Sequence, residues 1–269
     1  MMKESRYIYP HDFMADPSAH VFGDKIYIYP SHDREGDVSE NDNGDHFDMK
    51  DYHCLVLEDA EKGICQDKGL ILSVEDIAWA GRQLYSIDPC LFKDDNGEVY
   101  CCFGGIWGGQ LQWYRNNKLV EFPILPKGTE LAIQPRIVRM TEDMLQFAEE
   151  PRPIVILDAN HLPMQAENPH HFFEASWLHK RGDKYYFSYS TGDTHMICYA
   201  VGDNPYGPFT YQGVLLEPVV GWTSHHSICE YRGQWYLFHH DSVPSGGKTW
   251  LRSLKVKSFD YDEEGRIII

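Results

Sequence analysis

Glu174 stands in "FFEASWLHKRGDKYYFSYSTGD", an acid in a run of aromatic and small residues. Burying an unpaired carboxylate costs several kcal/mol or makes it take up a proton. An acid placed there can hold a proton near neutral pH and give it away, which is the task of a general acid. Three more polar residues open similar stretches. They are Asp16 in "DPSAHVFGDKIYIYPSHD", Asp88 in "DPCLFKDDNGEVYCCFGG" and His225 in "HHSICEYRGQWYLFHHDS". Asp-Pro often opens a strand for local reasons alone, since Asp caps turns and Pro fixes φ. Acids at one repeat position in three segments, none replaced by Asn or Ser, favour chemistry over turn-making.

The elements that position these residues are strands. Helical periodicity is scarce, and short alternating runs are separated by turn residues. In each of the four segments a small or turn-forming residue and then Ser or Cys follow the polar one. An apolar strand, a tight turn (Gly-Asp, Asn-Gly, Gly-Asp, Gly-Gln) and an aromatic strand come next, which is a hairpin. Further strand-like runs follow: "DYHCLVLED" and "KGLILSV", "GQLQWYR" and "AIQPRIVRM", "HMICYAVGD" and "FTYQGVLLEP", and "WLRSLKVKSFDYD". A four-stranded antiparallel unit repeated around an axis is a β-propeller blade. The expectation is an all-β propeller with four visible blades in a single domain over 1–269, the last blade closed by the N-terminal "RYIYP". Innermost strands line the channel, so Asp16, Asp88, Glu174 and His225 are expected at one mouth.

Bulk composition narrows the ligand. Lys and Arg total 24 against 41 Asp and Glu, a formal charge of −17. Such a chain repels nucleic acid and anionic membranes, whereas a neutral sugar suits it. Seventeen Tyr and seven Trp supply stacking faces. The seven cysteines are scattered and lack C-x-x-C spacing, which reads as reduced core thiols. The first residues, "MMKESRYIYPHDF", show no apolar leader, and a cytoplasmic location is expected.

At these residues the chain resembles glycoside hydrolase family 43, which includes β-xylosidases and α-L-arabinofuranosidases on a five-bladed β-propeller. "MADPSAHVF" resembles the strand carrying the general base, "YSIDPCLFKDDNGEVY" the strand whose Asp orients the acid, and "FFEASWLHKRGDKYYFSYS" the strand carrying the general acid. The resemblance implies Asp16 as base, Asp88 as orienting residue and Glu174 as acid. It implies an inverting, exo-acting glycosidase on short xylose- or arabinose-containing oligosaccharides. "GWTSHHSICEYRGQWYLFHHD" resembles the last blade, whose axial His helps hold a hydrated calcium or sodium ion. The match is His225, calcium is expected, and no organic cofactor is implied. One departure is plain: "VEDIAWAGRQLYSIDP" runs almost directly into the Asp88 strand where family members carry another blade. A sugar-binding, non-catalytic homologue is therefore the alternative.

Other residues are candidates for substrate contact. Trp79, Trp107 and Trp222 offer stacking faces, and His195 follows the third hairpin at the rim. Arg136 and Arg252 lie on strand-like runs, suited to sugar hydroxyls or to pairing with carboxylates. His239 and His240 read as blade packing. "RGD" at 181–183 reads as a hairpin turn. The acidic run "DREGDVSENDNGDHFDMKD" lacks calcium-loop spacing and reads as a solvated loop.

Overall fold

The computed structural model describes residues 4–41, 45–73, 88–107, 109–222 and 225–269. In chain order its strands are β1 (Arg6–Tyr7), β2 (Met14–Phe22), β3 (Lys25–Arg34), β4 (Asp48–Leu57), β5 (Gln66–Ser73), β6 (Cys90–Lys93), β7 (Val99–Phe103), β8 (Tyr114–Arg115), β9 (Lys118–Leu119), β10 (Arg136–Arg139), β11 (Arg152–Pro153), β12 (Ile156–Leu157), β13 (Phe172–Arg181), β14 (Lys184–Thr191), β15 (Ile197–Gly202), β16 (Phe209–Leu216), β17 (Ser227–Tyr231), β18 (Gln234–Asp241), β19 (Ser253–Tyr261) and β20 (Ile267–Ile268). One 3₁₀ turn, Leu111–Trp113, is the only helical element among the described residues. No helix there is long and apolar enough to cross a membrane.

The chain divides into two compact units, residues 1–81 with 218–269, and residues 82–217. The first holds the sheets β2-β3-β4-β5 and β1-β19-β18-β17. Alternation decides which face is buried: Ile26 and Ile28 of β3 are fully buried, with Tyr27 and Tyr29 between them half-buried. They join Ile8, Met14, Leu55, Leu57, Phe238, Leu254 and Val256 in one core. The N-terminal strand closes the last sheet as its sequence predicts, with Arg6 opposite Val256 and Tyr7 opposite Lys255. One chain end thereby covers an edge that would otherwise expose unpaired backbone.

The second unit holds the sheets β6-β7-β10-β11 and β13-β14-β15-β16, with β12 added parallel to β16. Its core is aromatic: Phe172, Tyr186, Phe187, Tyr189 and Phe209 are almost completely buried, each such side chain stabilising by about 1.5–3 kcal/mol. The Leu178 amide of β13 donates to Cys90 Sγ of β6 at 3.3 Å, tying the two sheets. All four predicted hairpins form, and Gly23, Gly182 and Gly233 take the positive φ their turns demand. The fold is thus an all-β propeller with four blade sheets.

One predicted strand is absent. "GQLQWYR" is the 3₁₀ turn plus β8, which pairs only with β9, and the third strand of that blade is β10. Leu111 and Gln112 are buried by loop packing rather than by strand pairing. The join over 74–87 lies outside the described residues, and Trp79 with it.

Candidate active site

Asp16 sits in a bulge of β2, where pairing with β3 skips between Ala15 and Ser18. Its φ is +50°, left-handed, and Pro17 follows. A residue before proline is ordinarily extended, so this backbone is held by its surroundings. The carboxylate is gripped on both oxygens. Oδ2 accepts from Ser31 Oγ at 2.9 Å, and Oδ1 accepts from Arg252 Nη1 at 2.9 Å. Arg252 is buried and also donates through Nε and Nη2 to both oxygens of buried Asp33, each at 2.8 Å.

Two imidazoles complete this cluster. The Asp16 amide donates to His240 Nδ1 at 3.2 Å, so that nitrogen is an acceptor and His240 carries its proton on Nε2. His225 Nδ1 lies 3.6 Å from Asp16 Oδ1. Burial favours a neutral Asp16, but the Arg252 guanidinium, with help from His225, outweighs it. The carboxyl is held well below the usual range and is ionised at neutral pH. Asp16 and His225 therefore come together as the repeat register predicts. His240, read from sequence as packing, belongs to the site as well. Arg252 is committed to Asp16 and Asp33, and its charge reaches a ligand only through them.

In the second unit, Asp88 has φ +53° before Pro89, a copy of the Asp16–Pro17 geometry. Its Oδ2 accepts the Ala175 amide at 2.8 Å. The third blade departs from the sequence register. There the left-handed residue is Ala175, at φ +57°, and β13 is irregular on both sides of Glu174. Glu174 aligns with Asp16 and Asp88 in sequence but precedes the kink by one residue. Asp88 therefore grips the backbone next to Glu174, fixing where that side chain leaves the strand.

Trp107 belongs to the same neighbourhood, because the amide of adjoining Ile106 donates to Phe173 O at 2.9 Å. Its indole is 54% exposed on a left-handed residue, and its amide is held by buried Gln112 at 3.0 Å. Trp222 in the first unit is likewise 55% exposed and left-handed, three residues before His225. His195 lies in the turn after β14, its amide bonded to Gly192 O at 3.0 Å, and burial lowers its pKa against the pull of Asp193. Arg136 is turned to structure: Nε donates to Asn117 Oδ1 at 3.1 Å and Nη1 to Gln134 O at 2.7 Å.

Two blade-opening carboxylates thus stand on left-handed backbone, Asp16 bonded to Arg252 and Asp88 to the strand that carries Glu174. The sequence profile of glycosyl hydrolases family 43 matches residues 11–267. The chain belongs to that family. It is 54% identical to a xylosidase/arabinosidase of Bacteroides ovatus, with 100% of this chain and 98% of that protein covered. The structure of the RS223 β-xylosidase superposes with a TM-score of 0.94 at 53% identity, covering 98% of each chain. A family 43 β-xylosidase/α-arabinofuranosidase from a compost metagenome, solved with xylotriose in a calcium-free form, gives 0.92 at 43% identity, covering 100% of this chain and 97% of that one. The alignment with the Bacteroides ovatus protein runs over 318 positions against the 269 residues here, so 49 positions of it have no residue in this chain. The enzyme is a glycosidase.

Ser31 and Asp33 escaped the sequence reading. Their signal is two polar residues, "PSHD", at the end of the buried face of an aromatic strand. A buried Asp asks for a buried cation, and the Arg in "TWLRSL" is the apolar-run arginine that supplies it.

Proposed function

We propose that this family 43 glycosidase removes single xylose or arabinofuranose residues from the ends of short oligosaccharides, with inversion at the anomeric carbon. Asp16 takes a proton from water as that water's oxygen bonds to the anomeric carbon. The bond from that carbon to the leaving oxygen breaks, and Glu174 gives the leaving oxygen its proton. Solvent then restores both carboxyl groups. Asp88 positions Glu174 and, as a like charge, favours its protonated form. The observation that carries this reading is a pair of contacts: Arg252 holds Asp16 ionised, and Asp88 bonds the strand that carries Glu174. The exposed Trp107 and Trp222 offer faces for pyranose or furanose rings, and the xylotriose bound by the compost enzyme makes such oligomers the first ligands to try.

His225 also suits a hydrated calcium ion. Its imidazole would give one ligand to an ion whose other ligands are water. Such an ion would supply positive charge beside the base. Exhaustive chelation should lower the rate, and calcium should restore it in the parent but not in His225→Ala.

Aryl β-xyloside and α-arabinofuranoside hydrolysis, with the first-formed anomer read by NMR, tests the reaction. Glu174→Ala should cripple alkyl and sugar leaving groups by 10²-fold or more and spare a dinitrophenyl group, while Asp16→Ala fails on both. Equal losses of Glu174→Ala on good and poor leaving groups would remove it as the acid. The 49 missing positions favour a second reading, a sugar binder without turnover. Xylotriose binding with no hydrolysis of any aryl glycoside would establish that reading.

A further inference from the structure

Away from the acids, β3 and β4 carry an arrangement the sugar chemistry does not use. Ser31 and Asp33 bind Asp16 and Arg252, and His32 between them points to the opposite face. There it meets Asp51 and His53, two residues apart on β4. His32 Nδ1 lies 2.7 Å from Asp51 Oδ1, and His53 Nε2 lies 3.6 Å from the same oxygen. One ligand atom from each of the three falls within 4.8 Å of the others.

The outer sides of both rings are also occupied. His32 Nε2 faces Asp12 Oδ2 at 3.2 Å, and His53 Nδ1 faces Asp67 Oδ2 at 2.8 Å. Asp67 is fixed in turn by the Gly69 amide at 2.8 Å and the Tyr9 hydroxyl at 3.5 Å. Each imidazole thus has carboxylate oxygen at both nitrogens, and a neutral ring has one N–H to offer two acceptors. Carboxylate–histidine pairs whose inner nitrogens converge on a third carboxylate form the outer and inner shells of a transition-metal centre. Tetrahedral zinc, with bonds of about 2.0–2.1 Å, holds its ligand atoms about 3.3 Å apart, between the two separations seen. Charge agrees as well. Asp12, Asp51 and Asp67 are opposed by Arg34, which is paired with Asp51 Oδ2, so two negative charges remain for a divalent cation to cancel.

We propose that His32 Nδ1, Asp51 Oδ1 and His53 Nε2 bind a divalent transition-metal ion of the zinc class, with water as fourth ligand. Each ring then carries its N–H on the outer nitrogen, donating to Asp12 or Asp67, and gives the inner lone pair to the metal; only a proton from a doubly protonated ring passes to solvent. Asp12 and Asp67 orient the rings, so the ion pins the segment before β2 to β3, β4 and β5. Asp12 lies four residues before Asp16, and the site therefore braces the strands that hold the base. This centre is distinct from His225 and does not depend on the glycosidase assignment.

Metal-stripped full-length protein titrated with Zn²⁺, and separately with Co²⁺, tests the inference, the bound metal being counted after dialysis. The expected result is one equivalent bound in His225→Ala, with visible Co²⁺ bands of tetrahedral intensity and a raised Tm. His53→Ala should lose that equivalent, and Asp67→Asn should weaken it about 10–100-fold. Circular dichroism checks folding, and Asp67→Asn keeps the test decisive if His53→Ala unfolds. No bound equivalent in the His225→Ala background, or affinity unchanged in Asp67→Asn, would overturn the site.

Discussion

At the scale of the residue, backbone and side chain act together at the acids. Asp16 and Asp88 both adopt left-handed backbone before a proline, a conformation that costs roughly 1–3 kcal/mol and persists only where the fold over-determines it. For Asp16 the determinant is the Arg252 clamp. Arg252→Ala leaves Asp33 buried beside no cation and should cost about 3–5 kcal/mol in denaturant unfolding. Asp88→Asn tests the coupling of the acids. The amide oxygen can still accept from Ala175, so geometry is kept while a like charge is lost. The pKa of Glu174 should fall, and activity carried by its protonated form is lost as pH rises through that pKa. The alkaline limb of kcat/KM should therefore move to lower pH, each unit corresponding to about 1.4 kcal/mol of coupling. An unmoved limb would leave Asp88 a purely structural clamp. The acids were legible in the sequence because residue type and repeat register marked them. Arg252 was legible as a partner for carboxylates, but Ser31, Asp33 and His240 were not, because they reach Asp16 or Arg252 only through strand pairing and chain closure.

At the scale of the element, hairpins were legible and the loops that carry the tryptophans were not. Turn chemistry is local, so Gly23 and Gly182 announce their hairpins. The run "GQLQWYR" alternates like a strand, yet its buried residues are covered by the loop itself, and alternation cannot tell the two apart. The one-residue offset that places Ala175 rather than Glu174 at the kink is equally silent, since a bulge leaves the residue pattern unchanged. The Trp222 loop gives a direct test of whether such a loop serves the ligand. Gly221 has φ +107°, and a Cβ there would stand 2.1 Å from Ser242 Oγ, while the Ser242 amide is bonded to Val220 O at 2.7 Å. Gly221→Ala must push the 218–222 loop away from Ser242, just past the end of β18. With Trp222 a stacking face, KM for xylotriose should rise several-fold while kcat on an activated aryl glycoside changes little. An unchanged KM with the loop displaced would take Trp222 out of the binding surface.

At the scale of the whole molecule, the four repeats carried the fold class. Two buried histidines with strongly lowered pKa, one in each unit, contribute to its response to acid. His179 of β13 stacks on Tyr186 with ring centroids 5.0 Å apart, and burial pushes its pKa down to about 3. His239 of β18 meets Ser5 Oγ at 2.9 Å. Burial, reinforced by Lys255, lowers its pKa to about 4. Both rings are neutral when folded and free to charge when unfolded, with an ordinary value of 6.5. Below pH 6.5 the unfolded chain takes up protons that the native state refuses, so stability is full above 6.5 and falls toward 4. With two such groups the limiting slope is about 2.7 kcal/mol per pH unit. Carboxylates held low, such as Asp94 and Asp241, lose their contribution from about pH 5 downward, so they do not account for losses between pH 6.5 and 5. At 0.15 M salt, where exposed charges are screened beyond about 8 Å, Tm should drop steadily across that window. His179→Phe, which keeps a ring against Tyr186, should remove up to about 1.4 kcal/mol per pH unit of the slope. A flat Tm down to pH 5, or a slope unaltered in His179→Phe, would show that these imidazoles are protonated within the fold.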